Sequence, residues 1–279
     1  MRGLRAAPDR QRALCLQEQT LMRALVTGAG ARLGRAMALY LGGRECDVIV
    51  HYATSDMGAQ EVVAELRGMG RQAHSVQADL LDESAVQNLV PHAMALLGGP
   101  LTLLVNNASI FEYDNLTSAT RTSWDRHMDS NLRAPFVLTQ HLAAHIPDAV
   151  PDAAGELVAQ GLVINMIDQR INKLTPEFMS YTLAKMGLWA LTRTAAQALA
   201  PKVRVNAIGP GPTLQGARQS ARHFAKQRAA TLLKRGANPA DICAALGYFI
   251  DAPAVTGQVL CPDGGQHLNW QTPDVLGIE

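Results

Sequence analysis

Apolar and polar positions follow two alternating periods along this chain. Short, nearly unbroken apolar runs recur from Arg23 to Pro262. Between them lie stretches whose apolar residues repeat every three or four positions. Runs of the first kind predict strands buried on both faces, and stretches of the second kind predict amphipathic helices. In order, the pattern gives a strand in RALVTG, a helix in ARLGRAMALYLGG stopped by Gly42 and Gly43, a strand in DVIVHY and a helix in GAQEVVAELRGMG. QAHSVQAD is a third strand, ESAVQNLVPHAMALLG a third helix and LTLLVNNAS a fourth strand. A long helix follows over roughly Ser123–Ala144. GLVINMID is the fifth strand, PEFMSYTLAKMGLWALTRTAAQALA a long helix, VRVNAIGPG the sixth strand and QVLCPDGG the seventh. Such alternation predicts an α/β fold, one doubly wound domain with a seven-stranded parallel sheet and helices on both faces. PDAVPDAAGE reads as a surface loop before strand five, and no linker divides residues 23–279.

Composition narrows the function classes. The 279 residues are 48% hydrophobic and 18% charged, ordinary for a soluble globular chain that buries a full core. A net charge of +1 supplies no field for nucleic acid or a membrane surface, so neither is expected as a partner. No apolar run reaches the roughly 18–20 residues of a membrane helix. Cys15, Cys46, Cys243 and Cys261 are scattered without metal-ligand spacing; the expectation is reduced thiols in a cytoplasm, with no zinc site. Residues 1–22 are basic and lack a signal-like apolar segment. They read as a disordered extension, or Met22 is the true start; an amphipathic interaction arm is the alternative.

TGAGARLG, Thr27 to Gly34, sits between strand one and helix one. Glycines there allow a tight turn and bring backbone N–H groups to a pyrophosphate at the helix N-terminus, the arrangement of a Rossmann-type dinucleotide site. Thr27, Gly28, Arg32 and Leu33 are the expected contacts. Arg32 stands where many such loops carry another glycine. Its charge either aims at the pyrophosphate or at a substrate acceptor group, or it is a solvated helix-start residue. Strand two ends in His51, Tyr52, Ala53, Thr54 and Ser55, with no carboxylate for a ribose 2′-hydroxyl. Asp56 is expected to cap the next helix. The missing acid favours a 2′-phosphate, hence NADPH, with Thr54 and Ser55 as donors beside His51. Asp79 either accepts from the adenine amino group or caps a helix.

Tyr181 and Lys185, four apart, share one face of a helix. A lysine beside a phenol is expected to lower the phenol's pKa toward neutrality, giving a proton donor suited to pH 7. Together with the loop, Asn106-Asn107-Ala108, Asn131, NAIGPG and Asp263-Gly264-Gly265, these residues resemble the short-chain dehydrogenase/reductases over about Arg23 to Leu268. The resemblance implies that Tyr181 donates the proton and that Lys185 binds the nicotinamide ribose. It further implies that Asn131 holds a relay water and that Asn107, Ala108, Pro210 and Gly211 border the cofactor.

Most of that family has serine where this chain has Asp168. A carboxylate there would repel the alkoxide that grows during ketone reduction. It suits a substrate that presents N–H donors, or a C=N bond whose nitrogen takes a proton. The set Arg32, Ser109, Phe111 and Asp168, the last thirteen residues before Tyr181, resembles the pteridine reductases and the related dihydromonapterin/dihydrofolate reductases. That resemblance implies a catalytic set of Asp168, Tyr181 and Lys185, with Asn131. It also implies that Phe111 stacks on a pterin, that Arg32 reaches cofactor and pterin, and that Ser109 touches the cofactor beside the pterin. Packed-loop and strand-end-cap readings of Phe111 and Asp168 stand beside it. The expected activity is NADPH-dependent reduction of a dihydropterin or folate. A general carbonyl or quinone reductase and a non-catalytic cofactor-binding regulator are the alternatives. Thr213 to Arg235 is the expected substrate-covering loop and helix, either facing a folate's glutamate tail or simply solvated. A homotetramer is implied, with interfaces on the helices around Ser123–Ala144 and Pro176–Ala200, and His267 and Trp270 near a neighbour's site.

Overall fold

The computed structural model describes residues 22–216 and 218–270. The expectation for the N-terminal segment lies outside the described residues except at Met22. Met22 packs against the core, and its carbonyl accepts the Asp47 N–H at 2.9 Å.

The strands are β1 (Arg23–Val26), β2 (Asp47–Tyr52), β3 (Ala73–Gln77), β4 (Leu103–Asn106), β5 (Val150–Pro151), β6 (Leu157–Val158), β7 (Gly161–Met166), β8 (Val203–Ile208) and β9 (Val259–Leu260). The helices are α1 (Arg32–Gly43), α2 (Asp56–Gly68), α3 (Glu83–Leu97), α4 (Arg121–Met128), α5 (Ala134–His145), α6 (Met179–Leu199), α7 (Ala221–Ala229) and α8 (Pro239–Asp251). Seven strands form one parallel sheet in the order β3-β2-β1-β4-β7-β8-β9.

The apolar runs in the strands have a physical cause. In β1, Ala24 and Val26 face one layer and Leu25 the other; Val48 and Val50 oppose Ile49, and Leu103 and Val105 oppose Leu104. Two cores therefore sandwich the sheet, one built with α1, α2 and α8, the other with α3, α5 and α6. A strand facing helices on both sides has no polar position to spare.

Three elements differ from the sequence pattern. PDAVPDAAGE is not a plain loop: β5 and β6 pair antiparallel as a small hairpin. The long helix before it is interrupted, because residues 129–133 form a π-helix between α4 and α5. Pro176 to Phe178 lie outside α6, which opens at Met179 after Phe178 adopts a left-handed backbone, φ +56° and ψ +49°. Among the described residues no helix is long and apolar enough to cross a membrane.

The strand order reverses between β1 and β4. Crevices at the carboxyl ends of strands beside such a reversal are where open α/β sheets bind ligands, and the motif residues converge there.

Candidate active site

Thr27, buried at the end of β1, ties the loop to β4. Its hydroxyl oxygen accepts the N–H groups of Asn107 and Ala108, each at 2.9 Å, and the Asn107 amide donates back to the Thr27 carbonyl at 2.8 Å. Gly28 has φ +64°, and a Cβ on Gly34 would strike the Gly28 carbonyl and lie 2.6 Å from the Asn107 side-chain nitrogen. Those two glycines are required by geometry. Arg32 also sits at positive φ, +52°, where dinucleotide loops often carry glycine. A non-glycine residue held there costs on the order of 1–2 kcal/mol. Its guanidinium partly offsets this by donating to the carbonyls of Gln215 (2.9 Å) and Leu214 (3.2 Å), which stitches the loop to the segment after β8. Leu33 is partly buried and packs its side chain against the core.

His51 corrects the expectation of direct cofactor contact. It is buried, its Nδ1 accepts the Gly28 N–H at 3.1 Å, and its Nε2 lies 3.1 Å from the Ala78 carbonyl. Both ring nitrogens are engaged, so His51 is a neutral strut that shapes the loop. Burial lowers its pKa to about 4. Thr54 and Ser55 are exposed at the end of β2, and no carboxylate stands there. Asp56 does not cap α2: the cap position is Ser55, and Asp56 lies in the first turn. Asp79 is exposed, with one carboxylate oxygen accepting the Leu81 N–H at 3.0 Å. Positive-φ turns, a helix N-terminus behind them and open hydroxyls at β2 fit a dinucleotide with a 2′-phosphate.

Asp168, Tyr181 and Lys185 converge at the end of β7. The Tyr181 hydroxyl donates to Asp168 Oδ2 at 3.1 Å, and Asp168 Oδ1 accepts the Arg170 N–H at 2.9 Å. The acid thus both caps a short 3-10 turn and faces the phenol, so the two sequence readings of it coexist. Lys185 is buried; its ammonium donates to the Met166 carbonyl at 2.8 Å and lies 5.7 Å from the Tyr181 ring centroid.

The electrostatics overturn one expectation. Tyr181 is not lowered toward neutrality: burial, the Asp168 charge and the hydrogen bond to it raise the phenol well above its ordinary value. The nearest charged neighbour of the hydroxyl is the acid, and the lysine lies beneath the ring. Burial also raises Asp168, against the Arg170 N–H and charge and the Tyr181 hydroxyl. Burial lowers Lys185 to about 8, against the Asp168 charge that raises it. The pair is therefore a neutral phenol sharing its proton with a carboxylate of raised basicity.

Asn131 lies in the π-helix and is fully buried. Its side-chain oxygen accepts the Ile110 N–H and its amide donates to the Ile110 carbonyl, both at 2.9 Å. The side chain clamps the segment after β4. Ser109 is exposed, and its hydroxyl donates to the Ile110 carbonyl at 3.4 Å. Pro210 accepts the Gln169 N–H at 3.3 Å, and a Cβ on Gly211 would lie 2.6 Å from the Asp263 Cβ, so this turn closes tightly against the late strand.

Phe111, 44% exposed, stacks on Phe178 with centroids 4.4 Å apart and planes 12° apart, and meets Tyr181 edge-on at 4.7 Å. Arg170 lies 4.9 Å over the Phe178 ring, and Arg218 lies 5.7 Å over Phe111 while donating to the Phe111 carbonyl. Arg218, which precedes α7, brings the covering segment to the site; α7 itself has no buried residue. Sequence reasoning missed Phe178, Arg170 and Arg218, as well as Asp114, His127 and Ser180 beneath Tyr181. None falls in a recurrent motif, and each except Arg170 has a partner far along the chain.

Comparison with known proteins finds relatives over most of the chain. The model of the family described as short chain dehydrogenase matches residues 22–226. A solved structure, FolM alternative dihydrofolate reductase 1 from Brucella canis complexed with NADP, superposes with a TM-score of 0.83 at 40% identity, covering 91% of this chain and 97% of that one. The short chain dehydrogenase mdpC of Emericella nidulans is 29% identical over 260 residues, 87% of this chain and 94% of its own length. The 3-oxoacyl-[acyl-carrier-protein] reductase FabG of Staphylococcus aureus is 28% identical over 250 residues, 88% and 98% of the two chains.

Proposed function

The chain belongs to the short-chain dehydrogenase family and is an oxidoreductase; from that premise we propose that it reduces a C=N bond of a dihydropterin ring, as in dihydrobiopterin, dihydromonapterin or dihydrofolate, with NADPH. One observation carries the reading: a carboxylate, Asp168, receives the Tyr181 hydroxyl at 3.1 Å where ketone reduction would need a donor to an oxyanion. The likeness to an alternative dihydrofolate reductase supports it.

Bound at the Gly28–Leu33 turn, the nicotinamide cofactor would supply the hydride. The chain's own residues do the rest. Arg32 and the loop amides would hold the phosphates, and Thr54 and Ser55 would donate to the 2′-phosphate. Phe111 offers a flat apolar face to the ring system. Tyr181 delivers its proton to the ring nitrogen as the carbon beside it gains hydride, and Asp168 accepts from substrate N–H groups and returns a proton to the phenol from solvent. Lys185 holds a positive charge under the phenol ring. The protein's contribution is orientation and proton supply.

The test follows NADPH and NADH absorbance with purified protein against dihydrobiopterin, dihydromonapterin, dihydrofolate and simple ketones. Pterin-dependent oxidation that favours NADPH supports the proposal. Oxidation with ketones alone, or cofactor binding with no oxidation of any substrate, overturns it. The same reading includes a cytoplasmic homotetramer assembled through the apolar groove between α5 and α6, lined by Phe136, Leu191, Ala195 and Leu199; light scattering of the purified protein reads its mass.

A further inference from the structure

Helix α6 carries Tyr181 and Lys185, yet it opens without a cap of its own. Its cap position is Phe178, which offers no side-chain acceptor, and its first turn holds no acidic residue. The first backbone donors of a helix need partners. Here they come from Asp114, which lies between β4 and α4. The Asp114 carbonyl accepts the N–H of Phe178 at 2.7 Å and of Met179 at 3.3 Å. Its Oδ1 accepts the Ser180 N–H at 3.1 Å, across 66 residues of chain. Its Oδ2 receives the Ser180 hydroxyl and, at 3.2 Å, the hydroxyl of Ser123 in the first turn of α4. One carboxylate therefore joins the starts of two helices, and its charge faces the positive end of α6.

Around it the bonding is closed. The Glu112 N–H donates to His127 Nε2 at 3.1 Å, which leaves the proton of the neutral imidazole on Nδ1, 2.6 Å from the Ser180 oxygen. The run is then His127 Nδ1–H to Ser180 oxygen, and Ser180 O–H to Asp114. Asp114, His127 and Ser180 are each at most 1% exposed. The bond to Phe178 also holds that residue left-handed, which sets its ring against Phe111 at 4.4 Å.

We propose that Asp114 is a positioning residue for the reaction: by capping α6 from outside, it fixes the Tyr181 hydroxyl against Asp168 and the Phe178 ring against Phe111. The inference rests on Tyr181 as proton donor and not on which substrate the site takes.

Asp114→Asn keeps the backbone carbonyl and the Oδ1 acceptor. It puts an amide donor opposite the Ser180 hydroxyl, which then has no acceptor for its proton. The variant is measured with whichever of the pterins or ketones the unaltered protein reduces. The expected result is a kcat lower by roughly 10- to 100-fold, the scale of a misplaced reacting group. The solvent deuterium isotope effect on kcat should rise, because proton delivery becomes slower, while the NADPH dissociation constant stays within about twofold. Amide exchange at Ser180 and Tyr181, which needs no substrate, should accelerate. A folded variant with unchanged kcat and isotope effect overturns the proposal, as does unchanged amide exchange if no substrate is reduced. An equal loss of kcat and of NADPH affinity also overturns it, since that is general loosening. Should Asp114→Asn not fold, Ser180→Ala decides by the same readings, with a smaller fall in kcat of roughly 3- to 10-fold.

Discussion

The Tyr181 hydroxyl and the Asp168 carboxylate meet at 3.1 Å, across thirteen residues of chain. Asp168→Ser replaces the acceptor with a group that can donate to an oxyanion. Turnover of dihydropterin should fall by roughly 100-fold or more, with NADPH affinity unchanged within about twofold. Steady-state kinetics with a cofactor-binding titration check this. A variant that keeps its dihydropterin turnover removes the role given to the acid.

The rate should also fall with rising pH, on a limb near 8. Burial brings the buried Lys185 ammonium down to about 8, and it loses its charge as pH passes that value. Asp168 acts in the opposite direction and raises Lys185. Asp168→Asn should therefore move the alkaline limb to lower pH while cutting the rate. A limb that moves upward in the pH profile of kcat/KM contradicts this arrangement.

His51 gives the phosphate loop an acid sensitivity. Burial holds its pKa at about 4 against the usual 6.5. The unfolded chain therefore binds this proton more tightly than the folded one between those values. The stability tied to neutral His51 is complete above pH 6.5, is lost as pH falls toward 4 and changes no further below. The loss is on the order of 3 kcal/mol. Thermal unfolding followed across that window should show it, and His51→Gln should flatten this part of the curve while weakening NADPH binding.

Thr54 is exposed at the end of β2, where the 2′-phosphate contact is assigned. Thr54→Arg should add a charge-assisted contact and raise the preference for NADPH over NADH by roughly 10-fold. The ratio of kcat/KM for the two cofactors measures it. An unchanged ratio moves the phosphate contact to another residue.

Strand-borne features were legible in the sequence because they rest on local periods. A sheet covered on both faces imposes unbroken apolar runs, and β2 matches DVIVHY residue for residue. The glycine loop and the Tyr181–Lys185 pair were legible for the same reason, since each is one turn of backbone. The sign of the Tyr181 shift was not legible, because it depends on how deeply the hydroxyl is buried and on how close Asp168 stands to it. The ring of supports around Tyr181 was hidden as well. Asp114 and Ser180 are 66 residues apart, and nothing local to either announces the other. Phe178 reads as a helical residue until the Asp114 carbonyl is seen to hold it left-handed. The backbone strain at Arg32 was hidden too; its positive φ supplies the reason a glycine is common there.

The wide turn at residues 129–133 sets the phase of the rod that contains it. Upstream, α4 aims His127 at the start of α6; downstream, α5 seats Val137, Leu138 and Leu142 in the core beside α3. An unbroken α-helix would rotate one of these faces off its target by about 100° per residue gained or lost. Deleting a single residue inside that turn would straighten the rod and force a choice between its two neighbours, so loss of function there need not involve any group that touches a ligand.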